Sequence, residues 1–102
     1  MKVFRMNDFD WVCAESEEQA KEWYHNETSV DMKDIEEDFE IWGEVPLSDH
    51  MWLNESELPV EELKKSQIME RRFGELWIQK TFGWVIEHEK ITKPCIISST
   101  EY

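Results

Sequence analysis

The sequence predicts an α+β fold: a small antiparallel sheet with helices packed mainly on one of its faces. Three observations carry that prediction. Short strand-like runs stand at both ends of the chain and near residue 77. Helical periodicity fills stretches between them. The element order, two strands, helices, strand, helix, strand, lacks the regular alternation of a parallel α/β sheet. At 102 residues the length matches one domain, 1–102. Such a domain has an expected radius of gyration of about 13 Å and an accessible surface of about 6,000 Å².

Residues 2–6 and 10–14 read as a β-hairpin. Asn7-Asp8 between them suits a turn, because such side chains bond nearby backbone and tolerate left-handed geometry. Ser16-Glu17-Glu18-Gln19 reads as a capping box with acids where the helix dipole favours them. Ala20, Trp23 and Tyr24 follow at helical spacing, which predicts a helix over 17–27. Met32, Ile35, Phe39 and Trp42 share one helical face, yet Phe39 and Ile41 also alternate around Glu40. The expectation is a short helix near 31–37 and an extended segment over 39–47. Residues 48–58, with Asp49, Asn54 and Ser56, read as a loop.

Pro59 suits a first helical position and opens a helix to about residue 67. Glu75 to Lys80 reads as a strand, with Trp77 on the face opposite Leu76 and Ile78. Thr81 is the expected N-cap of a helix over 82–89, whose stripe is Phe82, Val85 and Ile86. Trp84 lies about 160° around that helix from the stripe and is expected off the main core. Pro94 ends helical continuation, and 95–99 has strand character. The predicted sheet joins the N-terminal hairpin, the 75–80 strand and the C-terminal strand.

Acids outnumber bases 24 to 11, for a formal net charge of -13. Six Trp and five Phe make the chain too aromatic for a disordered acidic tail. The balance argues against direct nucleic-acid binding and against attraction to an anionic membrane. Charge is uneven: residues 1–63 hold 19 acids and 4 bases, residues 64–102 hold 5 acids and 7 bases. No run approaches the length of a membrane span, and the charged start does not read as a signal peptide. The expected location is the cytoplasm, where Cys13 and Cys95, 82 positions apart, would stay reduced.

Both ends of the chain carry a resemblance. Met6-Asn7-Asp8-Phe9-Asp10-Trp11 and the closing Ser99-Thr100-Glu101-Tyr102 resemble a group of small phage and prophage proteins. Those open on Met-Asn-Asp-x-Asp-Trp and end on a strand closing Ser-Thr-Glu-Tyr. Gly74-Glu75-Leu76-Trp77 matches more loosely. The resemblance implies a phage or mobile-element origin and, by association with small acidic phage proteins, inhibition of a host defence. It carries over no site residue.

Signatures of chemistry are weak. His25, His50 and His88 lack zinc spacing. Asp31-x-Lys33 and Glu62-x-Lys64 mimic part of a nuclease motif, but residues two apart on a helix do not face each other. No nucleophile motif or glycine-rich phosphate loop is present. The sequence therefore predicts no catalytic residue, no metal and no cofactor. A small metal-dependent hydrolase is the weakest alternative.

Stronger signals lie in charge and aromatics. Residues 31–44 carry Asp31, Asp34, Glu36, Glu37, Asp38, Glu40 and Glu44 against Lys33 alone, a net -6. Such crowding costs stability through self-repulsion. With Trp42 and Trp52 these residues form the expected partner-binding set, since exposed Trp is enriched in binding hot spots. The expected partner is a host protein with a basic, nucleic-acid-binding surface, engaged by charge mimicry. The alternative is an interaction module that docks through exposed aromatics.

Overall fold

Asn7 makes the turn that the first hairpin needs. Its Oδ1 accepts from Phe9 N at 2.8 Å and Asp10 N at 2.9 Å, so β1 (Lys2–Arg5) and β2 (Asp10–Ala14) meet antiparallel with Arg5 opposite Trp11. The computed structural model describes residues 1–65 and 67–99. Thr100-Glu101-Tyr102, the end of the resemblance, lies outside the described residues, as does Ser66 in the helix expected up to residue 67.

Helix α1 (Glu17–Thr28) starts on Ser16, whose Oγ accepts from Gln19 N at 3.1 Å. The reciprocal arm of the box is displaced by one residue: Gln19 Oε1 accepts from Glu15 N, not Ser16 N. Helix α2 (Met32–Ile41) runs four residues beyond the expected end at 37. Gly43, at φ +69°, follows its C-cap Trp42. A Cβ there would stand 3.3 Å from the Phe39 carbonyl oxygen, so glycine both ends the helix and permits the close turn. The extended segment expected over 39–47 shrinks to β3 (Gly43–Val45).

The segment expected to be a loop, 48–58, instead forms β4 (His50–Asn54) and a single 3-10 turn, Glu55–Glu57. Asn54 ends the strand by capping that turn: its Oδ1 accepts from Ser56 N and its own N–H donates to Glu57 Oε2. Pro59 is the N-cap of α3 (Val60–Leu63). Then come β5 (Met69–Arg72), absent from the sequence expectation, and β6 (Glu75–Thr81). Helix α4 (Phe82–Glu89) is capped by Thr81 as expected, with Oγ1 accepting from Trp84 N at 3.1 Å, and β7 (Cys95–Ser99) closes the chain.

The fold is α+β, with strands shared between two antiparallel sheets: β3-β1-β2-β7 and β4-β6-β5. The single expected sheet is thereby corrected. The 75–80 segment pairs with β4 on one side and β5 on the other, and with neither the hairpin nor the C-terminal strand. The cause is the two strands not foreseen, which occupy both edges of β6.

Helix placement is also divided. On one face of the first sheet, Phe4, Met6, Val12 and Ala14 pack with Ala20 and Tyr24 of α1 and Ile35 of α2. On the other, Val3, Cys13 and Ile97 pack with Met51, Leu53 and Ile78 of the second sheet and Phe82 and Val85 of α4. Neighbours such as Val3 and Phe4 thus enter different cores, as the alternation of a strand requires. This layering gives an elongated molecule of 44 × 27 × 20 Å with a radius of gyration of 14.5 Å, above the value expected for a compact domain of this length. The surface, 6770 Å², is larger for the same reason.

Two polar connections tie the layers. Tyr24 Oη donates to Asp10 Oδ2 at 2.6 Å and accepts from Asn7 Nδ2 at 2.8 Å, fastening α1 to the hairpin turn. Burial and the bond to Asp10 push the Tyr24 hydroxyl up to about 12. Glu62 receives Lys65 and Lys80, each at 2.8 Å, and so pins α3 onto β6. Those bonds hold its carboxyl down to about 2.

Candidate protein-binding surface

Helix α2 is amphipathic, and its outer face is acidic. Ile35 is buried, Met32 and Phe39 are half-buried, and the Phe39 ring lies 5.8 Å from Phe4. The Lys21 ammonium caps the Phe39 ring at 4.6 Å. Opposite that stripe, Asp34, Glu36, Glu37 and Glu40 are exposed, while Asp38 is half-buried. Asp31 is the N-cap, its Oδ1 accepting from Lys33 N at 2.8 Å. The nuclease-like Asp31-x-Lys33 fragment is therefore a helix start, and Glu62 of the second fragment is engaged by Lys65 and Lys80.

The helix dipole divides these acids into two groups. Asp31 and Asp34 lie at the positive end and stabilise the helix. Glu37, Asp38 and Glu40 lie toward the negative end, and the last turn carries no base. Among the described residues, none of the six acids from Asp31 to Glu40 is in an ion pair. Each charge of the second group opposes the dipole.

Beside that group, two apolar side chains face solvent. Ile41 is 69 % exposed and Trp42 is 37 % exposed. Trp42 falls out of the buried stripe because the helix ends one residue before it. Arg5 holds its ring in place: the guanidinium sits 3.6 Å from the centroid of Trp42 and 4.6 Å from that of Trp11. Arg5 is itself oriented by donating to the carbonyls of Asn7 and Asp8 at 3.1 and 3.3 Å. Glu44 follows on β3, with Lys2 Nζ 4.0 Å away.

The structure thus brings together Asp34, Glu36, Glu37, Glu40, Trp42 and Glu44 of the expected set along α2 and β3. Trp52 is not among them. It lies on β4, on the side opposite Met51 and Leu53, and therefore on the outer face of the second sheet. Arg72 stands 5.0 Å over its ring. Since α2 covers the far side of the first sheet, Trp52 and α2 look out of opposite sides of the molecule. Arg5 and Ile41 were missed by sequence reasoning. Arg5 was legible in the hairpin register, which sets it opposite Trp11.

Other expected features fall elsewhere. Trp77 is on the outer face of the second sheet, opposite Asn54 and Glu70. Trp84 lies at the margin of the core, half-buried, its ring stacked on His88 at 4.5 Å and approached by Lys80 at 4.6 Å. Among the described residues no three His, Cys, Asp or Glu side chains converge in a metal-binding group, and no helix is long and apolar enough to cross a membrane. No family model matches the chain, and neither a curated protein nor a solved structure matches it.

Proposed function

We propose that this protein is a binding protein of phage or mobile-element origin that acts in the cytoplasm of a bacterial host, by docking and not by catalysis. Its α2 face, Asp34, Glu36, Glu37 and Glu40 with Trp42 and Glu44, occupies a basic groove of a host protein, one that otherwise receives nucleic acid. The observation that carries the reading is the unneutralised negative end of α2 abutting exposed Ile41 and a Trp42 ring already fixed by Arg5. A dense array of carboxylates supplies attraction and fast association to any phosphate-binding surface. An aromatic anchor that is pre-ordered loses little entropy on docking.

The aromatic alternative rests on a different place, the second sheet, where Phe73 is 103 % exposed and Trp52 and Trp77 share the outer face. The two are separated by salt. Immobilised protein is incubated with bacterial lysate at low and at high salt, beside a variant carrying Glu36→Lys, Glu37→Lys and Asp38→Lys. The proposal expects a host protein retained at low salt, released at high salt and by competing nucleic acid, and not retained by the variant. Retention that is indifferent to salt and to the variant, but lost in Phe73→Ala or Trp52→Ala, rejects it in favour of the alternative.

A further inference from the structure

We propose that Cys13 and Cys95 are a modification site: they form a reversible cross-strand disulfide that clips the C-terminal strand onto the N-terminal hairpin. They are the two cysteines of the chain, far apart in sequence, and both are free thiols in the structure. Yet they are direct register partners in the antiparallel pairing of β2 with β7. Directly opposed residues in such a ladder have Cα atoms about 4.5 or 5.5 Å apart. A disulfide requires about 4.4–6.8 Å, so the backbone already has the right spacing.

The side chains also share a direction. Cys13 is buried in the core between the sheets, and Cys95 packs against that same core. The irregularity in this pairing falls between Trp11 and Val12. The stretch holding Val12 opposite Ile96 and Cys13 opposite Cys95 is in regular register. The Cys95 thiol is close enough to disfavour charge on Cys13. Burial and the nearby Cys95 push the Cys13 thiol up to about 11, partly opposed by the chain's terminal ammonium. Burial, then the charge of Glu89, raises Cys95.

Half-exposed Cys95 is the point of entry for an oxidant of the low-molecular-weight disulfide class, such as oxidised glutathione. The Cys95 thiolate attacks one sulfur of the oxidant. The oxidant's S–S bond breaks, and one glutathione leaves and takes up the proton that Cys95 gave. The Cys13 thiolate then attacks the Cys95 sulfur and expels the second glutathione, which takes up the Cys13 proton. The two cysteines give up two electrons, and the oxidised glutathione gains them to become two thiols.

The test treats the folded full chain with oxidised glutathione, then removes the oxidant, alkylates the chain under denaturing conditions and weighs it intact and after digestion without reductant. The expected result is a monomer that has lost two hydrogen atoms, yields a linked Cys13–Cys95 peptide, takes up no alkyl group and returns to two thiols with dithiothreitol. Cys13→Ser is expected to keep glutathione on Cys95, because no second thiol resolves it. Cys95→Ser, checked for native circular dichroism, is expected to leave buried Cys13 unmodified. A folded wild-type chain that ends as a stable glutathione adduct, as a linked dimer, or with both thiols still alkylatable overturns the proposal.

Discussion

The first sheet of this protein is covered on both faces, by α1 and α2 on one side and by the second sheet on the other. Among the described residues, the second sheet is covered on one face only. The difference extends to charge. The helices over the first sheet carry the acids, whereas the segment leading through β5 carries Lys64, Lys65, Arg71 and Arg72 against Glu70. It also extends to exposed rings. In the first half, Trp42 is anchored by Arg5. In the second, Phe73 at the tip of the β5–β6 hairpin is fully exposed, at a φ of +51° that disfavours a bulky residue. One half carries negative charge over a sheet covered on both faces, and the other presents aromatic side chains on a sheet covered on one.

The comparison can be broken most severely in the two cores. Phe4→Ala, which empties the helix side, is expected to destabilise by about 3–5 kcal/mol, and Ile78→Ala, between the sheets, by about 2–5 kcal/mol. Both variants should still unfold in one transition in urea, because Val3 and Phe4 bind adjacent positions of β1 to both cores. Separate transitions for tryptophan fluorescence and circular dichroism would show that the two halves fold independently.

A smaller effect belongs to the hairpin turn. Tyr24→Phe removes the hydroxyl shared by Asn7 and Asp10. The expected loss is about 1–3 kcal/mol in denaturant unfolding, the cost of leaving part-buried polar groups unpaired.

In the second half the corresponding polar tie is Glu62. Its carboxyl is depressed to about 2 by Lys65 and Lys80, against about 4.3 in the unfolded chain. Stability from this group is present above the unfolded value and is lost as pH falls from there through about 2. Glu62→Gln should lower stability near neutrality and flatten the loss between those limits. Thermal unfolding measured across that pH range checks this, and equal slopes for the two proteins would contradict it.

The smallest effect is at the hairpin tip. Phe73 and Gly74 both have positive φ, +51° and +80°, the pattern of a turn that favours Asn-Gly. Phe73→Asn is expected to raise stability by about 1 kcal/mol, since Asn tolerates this conformation and the ring makes no core contact. A loss of stability would show that the ring has a packing role.

How legible each half was in sequence follows the same division. Strong local signals placed α1, α4 and β7: Ser16 and Thr81 are true caps, and α4 ends at Glu89 as expected, although left-handed Lys90 and not Pro94 closes it. The acidic segment was found by its charge, but its helix length was not, because Gly43 and not the apolar pattern ends α2. The second sheet was missed at its edges. His50 to Asn54 alternates outward and inward residues, but Asp49 and the Asn54 cap read as loop chemistry. Met69 to Arg72 is an edge strand with two exposed charges in its middle, Glu70 and Arg71, and no apolar run. Trp52 joins Trp42 in the expected set because residues 48–58 read as a loop that would leave it exposed, while strand alternation turns it to the opposite side.

The association rate of the host protein captured from lysate, measured against the wild-type chain and the variant bearing Glu36→Lys, Glu37→Lys and Asp38→Lys, tests the role of α2 most directly. Where the Debye length is about 10 Å, at 0.1 M salt, the variant should associate at least about tenfold more slowly, and the difference should shrink as salt rises. A folded variant that associates at the wild-type rate at low salt would contradict a binding role for the acidic face.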